Sequence, residues 1–284
     1  MRGMVVAPQP EAVEAGVEIL RQGGNAVDAA IACAFSQGVV DPQMCGIGGF
    51  GAMQVCMPKR GEHSVLEFFA RAPLAATPGM WADRFVGQSR DGFVFLLSDR
   101  SNDIGPGAIG APGNVAGYTT ALARFGTMPL KAVMAPAIAQ ARRGVMIRPY
   151  VHHYWTIDHG SDGQVNMEDK LRFSETGQRV YFRPDGRLKR PGEILDNPDM
   201  ARSLERIAEG GAEVFYRGDM AHAMAADMQE RGGLLGMQDF TSYQVREKQV
   251  VWGDYRGLRV AANPPPSGGC LLYTSPSPRD KRQS

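Results

Sequence analysis

Residues 26–37 read AVDAAIACAFSQ, a helical stretch whose faces are nearly all small or apolar apart from Asp28. A helix without a polar side cannot rest on a surface, so this one has to be enclosed by other elements. Asn25 stands where a cap residue satisfies the first free N–H groups of such a helix. Just before it, PEAVEAGVEILRQGG places Val13, Val17 and Leu20 at helical spacing and closes on Gly23-Gly24, a helix stop signal. The spacing predicts a helix over 10–22, so two helices precede any strand.

A chain of 284 residues with 43% hydrophobic content can enclose such a helix in one large domain or two small ones. With 31 basic and 30 acidic residues the net charge is only +1, and neither sign is gathered in a block. That balance gives no field to steer nucleic acid or an anionic membrane, so neither is expected as a partner. No run of 18 apolar residues occurs, and the apolar part of MRGMVVAPQP is too short for a signal peptide. The expected location is cytoplasmic as the sequence stands, or periplasmic or secreted if a leader has been lost. Cysteines at 33, 45, 56 and 270 show neither CxxC spacing nor the density of a disulfide scaffold, and small buried hydrophobes are expected there.

Downstream, AMQVCM and SVLEFF read as short strands around the turn-rich PKRGEH, the pattern of an antiparallel hairpin. Asn114 precedes a helix through VAGYTTALARFG, and Leu130 opens another in which Pro136 is expected to break or kink the chain. Residues 150–192 are polar and punctuated by glycine, which predicts surface loops with one short hairpin. Asn197-Pro198-Asp199 is a strong helix start, followed by the stripe Met200, Leu204, Ile207 and a stop at Gly210. A further helix from Asp219 carries Met220, Met224 and Met228 at four-residue spacing, which reads as core filling. KQVVW and LRVAA flank GDYRG as a strand pair. The elements together predict an α/β chain of the α+β kind, without internal repeats.

Several motifs invite chemistry. Gly46, Gly48 and Gly51 satisfy GxGxxG, but a dinucleotide fingerprint follows a strand and opens a helix, whereas this one follows a helix and feeds a strand. A tight connection in which backbone packs closely is the simpler reading. His152, His153, Asp158 and His159 cluster in HHYWTIDHG without helical His-x-x-x-His spacing, which favours a solvated surface group over a metal site. PPPSGG at 264–269 lacks the strand and helix that expose a nucleophilic serine, and Thr119-Thr120 has no histidine beside it. No cofactor is called for.

The run GGNAVDAAIACAFSQGVVDPQMCGIGGFGAM closely resembles the start of the γ-glutamyltransferase (γ-glutamyltranspeptidase) large subunit. The likeness continues in order through RAPLAATPGMW, GAPGNVAGYTTALARFGTMPLKAVMAPAI, NPDMARSLERIAEGGAEVFYRGDMA, GGLLGMQDFTSY and NPPPSGG, over about residues 3 to 270. It implies an N-terminal nucleophile hydrolase: a four-layer αββα sandwich made as one precursor that cleaves itself into a large and a small subunit. The new N-terminal threonine of the small subunit would attack a γ-glutamyl amide with its own α-amine as base. That chemistry is sound, because a threonine hydroxyl needs an adjacent base and a terminal amine of pKa near 8 can be one. The family's Thr-Thr-His run is absent from this sequence, so the resemblance covers an incomplete sandwich, the helix-rich large-subunit portion. Residues 1–272 are assigned to that portion and 273–284 to a polar tail outside it. The implied partners are a small-molecule γ-glutamyl or related amide substrate and the small subunit of the same precursor, with no nucleic acid and no membrane segment.

One substrate contact of the family falls within these residues. Its pattern reads DxRExAP or close to it, the arginine pairing with the substrate α-carboxylate. Aligned on Ala72-Pro73, Phe69 stands at that arginine's position and Ala70 at the glutamate's. Arg71 lies two residues on and, in a strand, would face the same side as Phe69. A substitute carboxylate ligand and an ordinary structural arginine are both open at this point. The departure leaves room for an acylase or amidohydrolase with a different acyl group, and a non-catalytic binding subunit or a nucleotide-binding enzyme are the readings from other classes.

Overall fold

The computed structural model describes residues 3–90, 92 and 94–270. The 273–284 tail therefore lies outside the described residues. Two helices come first, α1 (Pro10–Arg21) and α2 (Ala26–Val40), followed by the antiparallel strands β1 (Gly51–Met57) and β2 (Glu62–Phe68). A small hairpin, β3 (Phe85–Gln88) and β4 (Phe95–Leu97), precedes helices α3 (Asn114–Phe125) and α4 (Leu130–Arg143). Next come β5 (Val145–Met146), α5 (Pro149–Trp155), α6 (Met167–Arg172), α7 (Glu175–Tyr181) and β6 (Ile194–Leu195). The chain continues through α8 (Pro198–Tyr216), α9 (Asp219–Glu230), α10 (Met237–Thr241), β7 (Arg246–Gln249), β8 (Val251–Tyr255) and β9 (Leu258–Ala262).

The requirement placed on α2 is met. Val27, Asp28, Ala29, Ile31, Ala32, Cys33, Phe35 and Ser36 to Val40 are all buried, so the helix shows water almost no face. It packs on α1, α4 and α3, and Phe35 meets Tyr118 of α3 edge to face at 5.0 Å. Tyr118 in turn meets Phe68 of β2 at 5.7 Å, which seats the helical layer on the sheet. That sheet has the order β1-β2-β7 and is antiparallel throughout. The result is the expected mixed α/β architecture, rich in helix with small sheets.

Five local expectations need correction. The buried stripe of α1 is Ala12, Ala15, Gly16 and Ile19, with Val13, Val17 and Leu20 only half-buried. Small residues are placed there because α2 comes close: a Cβ on Gly16 would lie 3.0 Å from the Ala29 carbonyl. Pro136 does not break α4, since Val133, Met134 and Ala137 are fully buried and their packing outweighs one lost hydrogen bond. Residues 150–192 hold the expected short hairpin, bridged at Phe182 and Leu188, but the stretches read as loop are interrupted by three short helices; each buries one or two residues, Trp155 above all, and is too short to show a period. In α8 the break falls at Gly211 and the helix resumes to Tyr216, because Phe215 and Tyr216 are core residues that must be carried back inward. KQVVW is split, Lys248 and Gln249 pairing with β2 while Val251 and Trp252 pair with β9.

The cysteines divide as well. Cys33 is buried and Cys45 half-buried, while Cys56 is exposed because it alternates outward on β1 next to buried Val55.

Candidate functional site

The glycine run forms the connection between α2 and β1 and docks on the start of α3. The Gly49 carbonyl accepts from the Gly113 and Asn114 amides at 2.9 and 3.0 Å, and the Asn114 side chain donates to the Gly46 carbonyl at 2.7 Å. The Gly113 and Asn114 amides at that helix start are thereby occupied by the run, which has the tight structural role that its helix-before, strand-after context predicts. Gly38 serves the same contact, since a Cβ there would stand 3.0 Å from the Gly46 Cα. Thr119 donates its hydroxyl to the Val115 carbonyl at 2.8 Å inside α3, as a helical threonine without a base does. His152 and His153 lie on α5 rather than in a loop, with Asp158 and His159 in the segment that follows. His152 is half-buried beside the Trp155 ring, and burial lowers its pKa. Among the described residues no group of three or more His, Cys, Asp or Glu side chains is placed to hold a metal.

Phe69 and Arg71 come together in a cleft of about 200 Å³, lined also by Glu67, Ala70, Tyr243, Gln244, Arg246 and Pro266. They reach it by a different route from the one expected. Strand β2 ends at Phe68, and Arg71 instead pairs with Ala111 in a two-way backbone bridge at 3.1 and 2.8 Å. Segment 68–74 is then pinned by residues around α10. Tyr243 donates its hydroxyl to the Phe69 carbonyl at 2.8 Å, and Asp239 accepts from the Leu74 amide at 2.7 Å and from the Gly236 amide at 2.8 Å. Tyr243 stacks on Tyr216 at 5.5 Å, whose hydroxyl donates to the Pro112 carbonyl at 2.9 Å. A Cβ on Gly113 would stand 1.9 Å from the Phe68 carbonyl, so only glycine lets these strands of backbone cross.

The Arg71 guanidinium lies over the Tyr243 ring, 4.8 Å from its centroid, and donates to the Gln244 carbonyl at 2.6 Å. One bond and one ring face fix its plane while leaving further N–H donors for a ligand. Glu67 is buried beside it, and its carboxylate is paired at 2.8 Å with Lys248, which also donates to the Pro265 carbonyl at 2.6 Å. Burial raises the pKa of the Tyr243 hydroxyl, against the opposing positive charges of Arg71 and Arg246. The cleft thus offers arginine charge, an aromatic wall at Phe69 and a rigid floor, a combination suited to a short acyl chain that ends in a carboxylate. The sequence pattern singles out Phe69 and Arg71 but not Tyr243, Asp239 or Arg246. For Asp239 a local signal existed, the G-x-x-D spacing that lets an acid in the first turn of α10 accept from the Gly236 amide before it.

Comparison with known proteins gives a consistent picture. The family model described as Gamma-glutamyltranspeptidase matches residues 12–275. The chain is 37% identical over 269 residues to the Acylase ACY 1 proenzyme of Pseudomonas sp. (strain V22), covering 94% of this chain and 45% of that protein. It is 35% identical over 268 residues to the Glutathione hydrolase proenzyme of Escherichia coli (strain K12), covering 94% of this chain and 43% of that one. Among solved structures it resembles the gamma-glutamyltranspeptidase of Helicobacter pylori, with a TM-score of 0.81 at 30% identity over 94% of this chain and 71% of that chain. The chain spans a little under half the length of the curated relatives it matches.

Proposed function

The chain belongs to the gamma-glutamyltranspeptidase family, and from that premise we propose that the complete protein cleaves a γ-glutamyl amide and passes the acyl group to water or to the amine of an amino acid or peptide. The observation that carries this reading is the cleft at Phe69 and Arg71, where a guanidinium held by Tyr243 and Gln244 faces a space of about 200 Å³. A γ-glutamyl group is a five-carbon acyl chain ending in an α-carboxylate, and Arg71 is the carboxylate partner in this reading. The nucleophile is the N-terminal threonine of a second subunit from the same precursor. Its hydroxyl adds to the amide carbonyl and its α-amine takes the proton. The leaving amine departs protonated, and water or an acceptor amine then opens the ester.

The test is expression of the uninterrupted reading frame that contains these residues, followed by assay with γ-glutamyl-p-nitroanilide. The expected result is a precursor that cleaves into two subunits and then releases p-nitroaniline. Turnover by the 284-residue chain alone would overturn the placement of the nucleophile. A cleaved, folded product with no turnover would overturn the substrate. Phe69 favours a second reading, an acylase for another acyl group, because it replaces a charge with an apolar wall at the position of the family's arginine. The same preparation decides between them: an acylase prefers an aliphatic acyl-p-nitroanilide over the γ-glutamyl compound.

A further inference from the structure

Position 69 carries no charge, so a single arginine at 71 would have to do alone what the family pattern assigns to a differently placed one. We propose that Arg246 of β7 supplies the second half of the carboxylate site, so that Arg71 and Arg246 together hold the acyl donor's carboxylate against the ring of Phe69. This rests on the reading of the cleft as the donor site.

Strand register makes the case. Glu67 of β2 stands directly opposite Arg246 of β7, a position at which opposite charges ordinarily pair across strands. Here the Glu67 carboxylate goes diagonally to Lys248 instead, at 2.8 Å. Lys248 is held there by its second bond, 2.6 Å to the Pro265 carbonyl. Arg246 therefore has no carboxylate within ion-pair distance among the described residues, although it lines the cleft. Arg71 is in the same condition, its contacts being a carbonyl and a ring face. Both arginines line the same cleft as Tyr243, whose ring carries the Arg71 guanidinium on its face.

The cleft consequently holds two arginine charges and one carboxylate that a lysine already neutralises. An anion seated between them relieves their mutual repulsion and gains two charge-assisted contacts. The cleft, at about 200 Å³, falls below the roughly 300–1,000 Å³ of sites for larger ligands and leaves room for a short aliphatic acid. Phe69 then covers the methylenes, which makes a shorter side chain there unnecessary and a charge redundant.

The experiment titrates the chain with glutarate by ligand-observed NMR, which reads binding whatever the oligomeric state. Arg246→Gln and Arg71→Gln are each expected to weaken glutarate about tenfold or more, as removal of one charge-assisted contact does. Arg246→Lys should fall between, and Phe69→Arg placed in the Arg246→Gln background should restore affinity. Because Arg246 is exposed, its replacement leaves the fold intact, and an unchanged circular dichroism spectrum checks that. Wild-type affinity in Arg246→Gln, or no glutarate binding by the chain, overturns the proposal. Arginine-dependent glutarate binding without γ-glutamyl turnover in the complete protein upholds the site and removes the proposed function. Turnover whose KM is unmoved by Arg246→Gln does the reverse.

Discussion

Asp28 is fully buried in the interior helix α2, and it is tolerated because its lone pairs are all in use. It accepts from the Asn25 amide at 2.8 Å, the Thr127 amide at 2.9 Å, the Thr127 hydroxyl at 2.6 Å and the Met128 amide at 3.2 Å. Asn25 answers with a bond to the Phe125 carbonyl at 2.6 Å, so one capping box also ties the turn after α3 to the start of α2. Asp28→Ala strands those donors, and at about 1–3 kcal/mol for each buried group left unpaired the expected loss is about 3 kcal/mol in urea unfolding. Asp28→Asn, which keeps one acceptor, should lose less; a loss below about 1 kcal/mol for the alanine variant would contradict this account. The local half of this device was legible, since Asn25 before an apolar run is a cap signal. Its other half was not, because nothing in the local pattern encodes a partner 99 residues away. The same limit hid Tyr243 and Arg246: Phe69 and Arg71 stand out against a short motif, whereas their supports are defined only by packing and strand register.

At the scale of elements, helix starts and the buried helix were readable because caps and periodicity are local, and what failed was local signal overridden by tertiary contact. Gly211 shows the difference. Its φ of 62° and ψ of −152° fall in a region open essentially to glycine, and the break they make turns α8 so that Phe215 and Tyr216 reach the core. Tyr216 then supports Tyr243, and Tyr243 holds both the Phe69 carbonyl and the face of Arg71. A side chain at 211 has open space around it, so its cost is backbone strain alone. Gly211→Ala is expected to lose about 1–3 kcal/mol by thermal or chemical unfolding, and to weaken carboxylate binding through the displaced Tyr216–Tyr243 stack. Unchanged stability would mean that residue 211 is free to leave this conformation and that α8 does not set the cleft.

For the whole molecule, the surface is larger than its mass warrants. The accessible area is 16,131 Å² for 30.8 kDa, and even if every undescribed residue is granted the surface of an unfolded chain, roughly 2,000 Å² remain beyond what a compact monomer exposes. The excess has recognisable places. In the sheet β1-β2-β7 the outer sides of β1 and β7 pair with no other strand among the described residues, and the hairpin β8–β9 exposes Trp252, Tyr255 and Leu258. Unpaired strand edges and contiguous apolar side chains template association with other chains. A partner surface of this size is within the range of stable interfaces, and the curated relatives, named as proenzymes, run to about twice the length covered here. The chain alone is therefore expected to self-associate at micromolar concentration and to bind a hydrophobic dye, whereas co-expression with the second subunit proposed above should give one monodisperse complex with little dye binding. Light scattering and dye fluorescence on the two preparations decide it. A monodisperse, cooperatively unfolding monomer of the chain alone would show that these edges are satisfied without a partner, and would favour a self-sufficient binding protein over one part of a two-subunit enzyme.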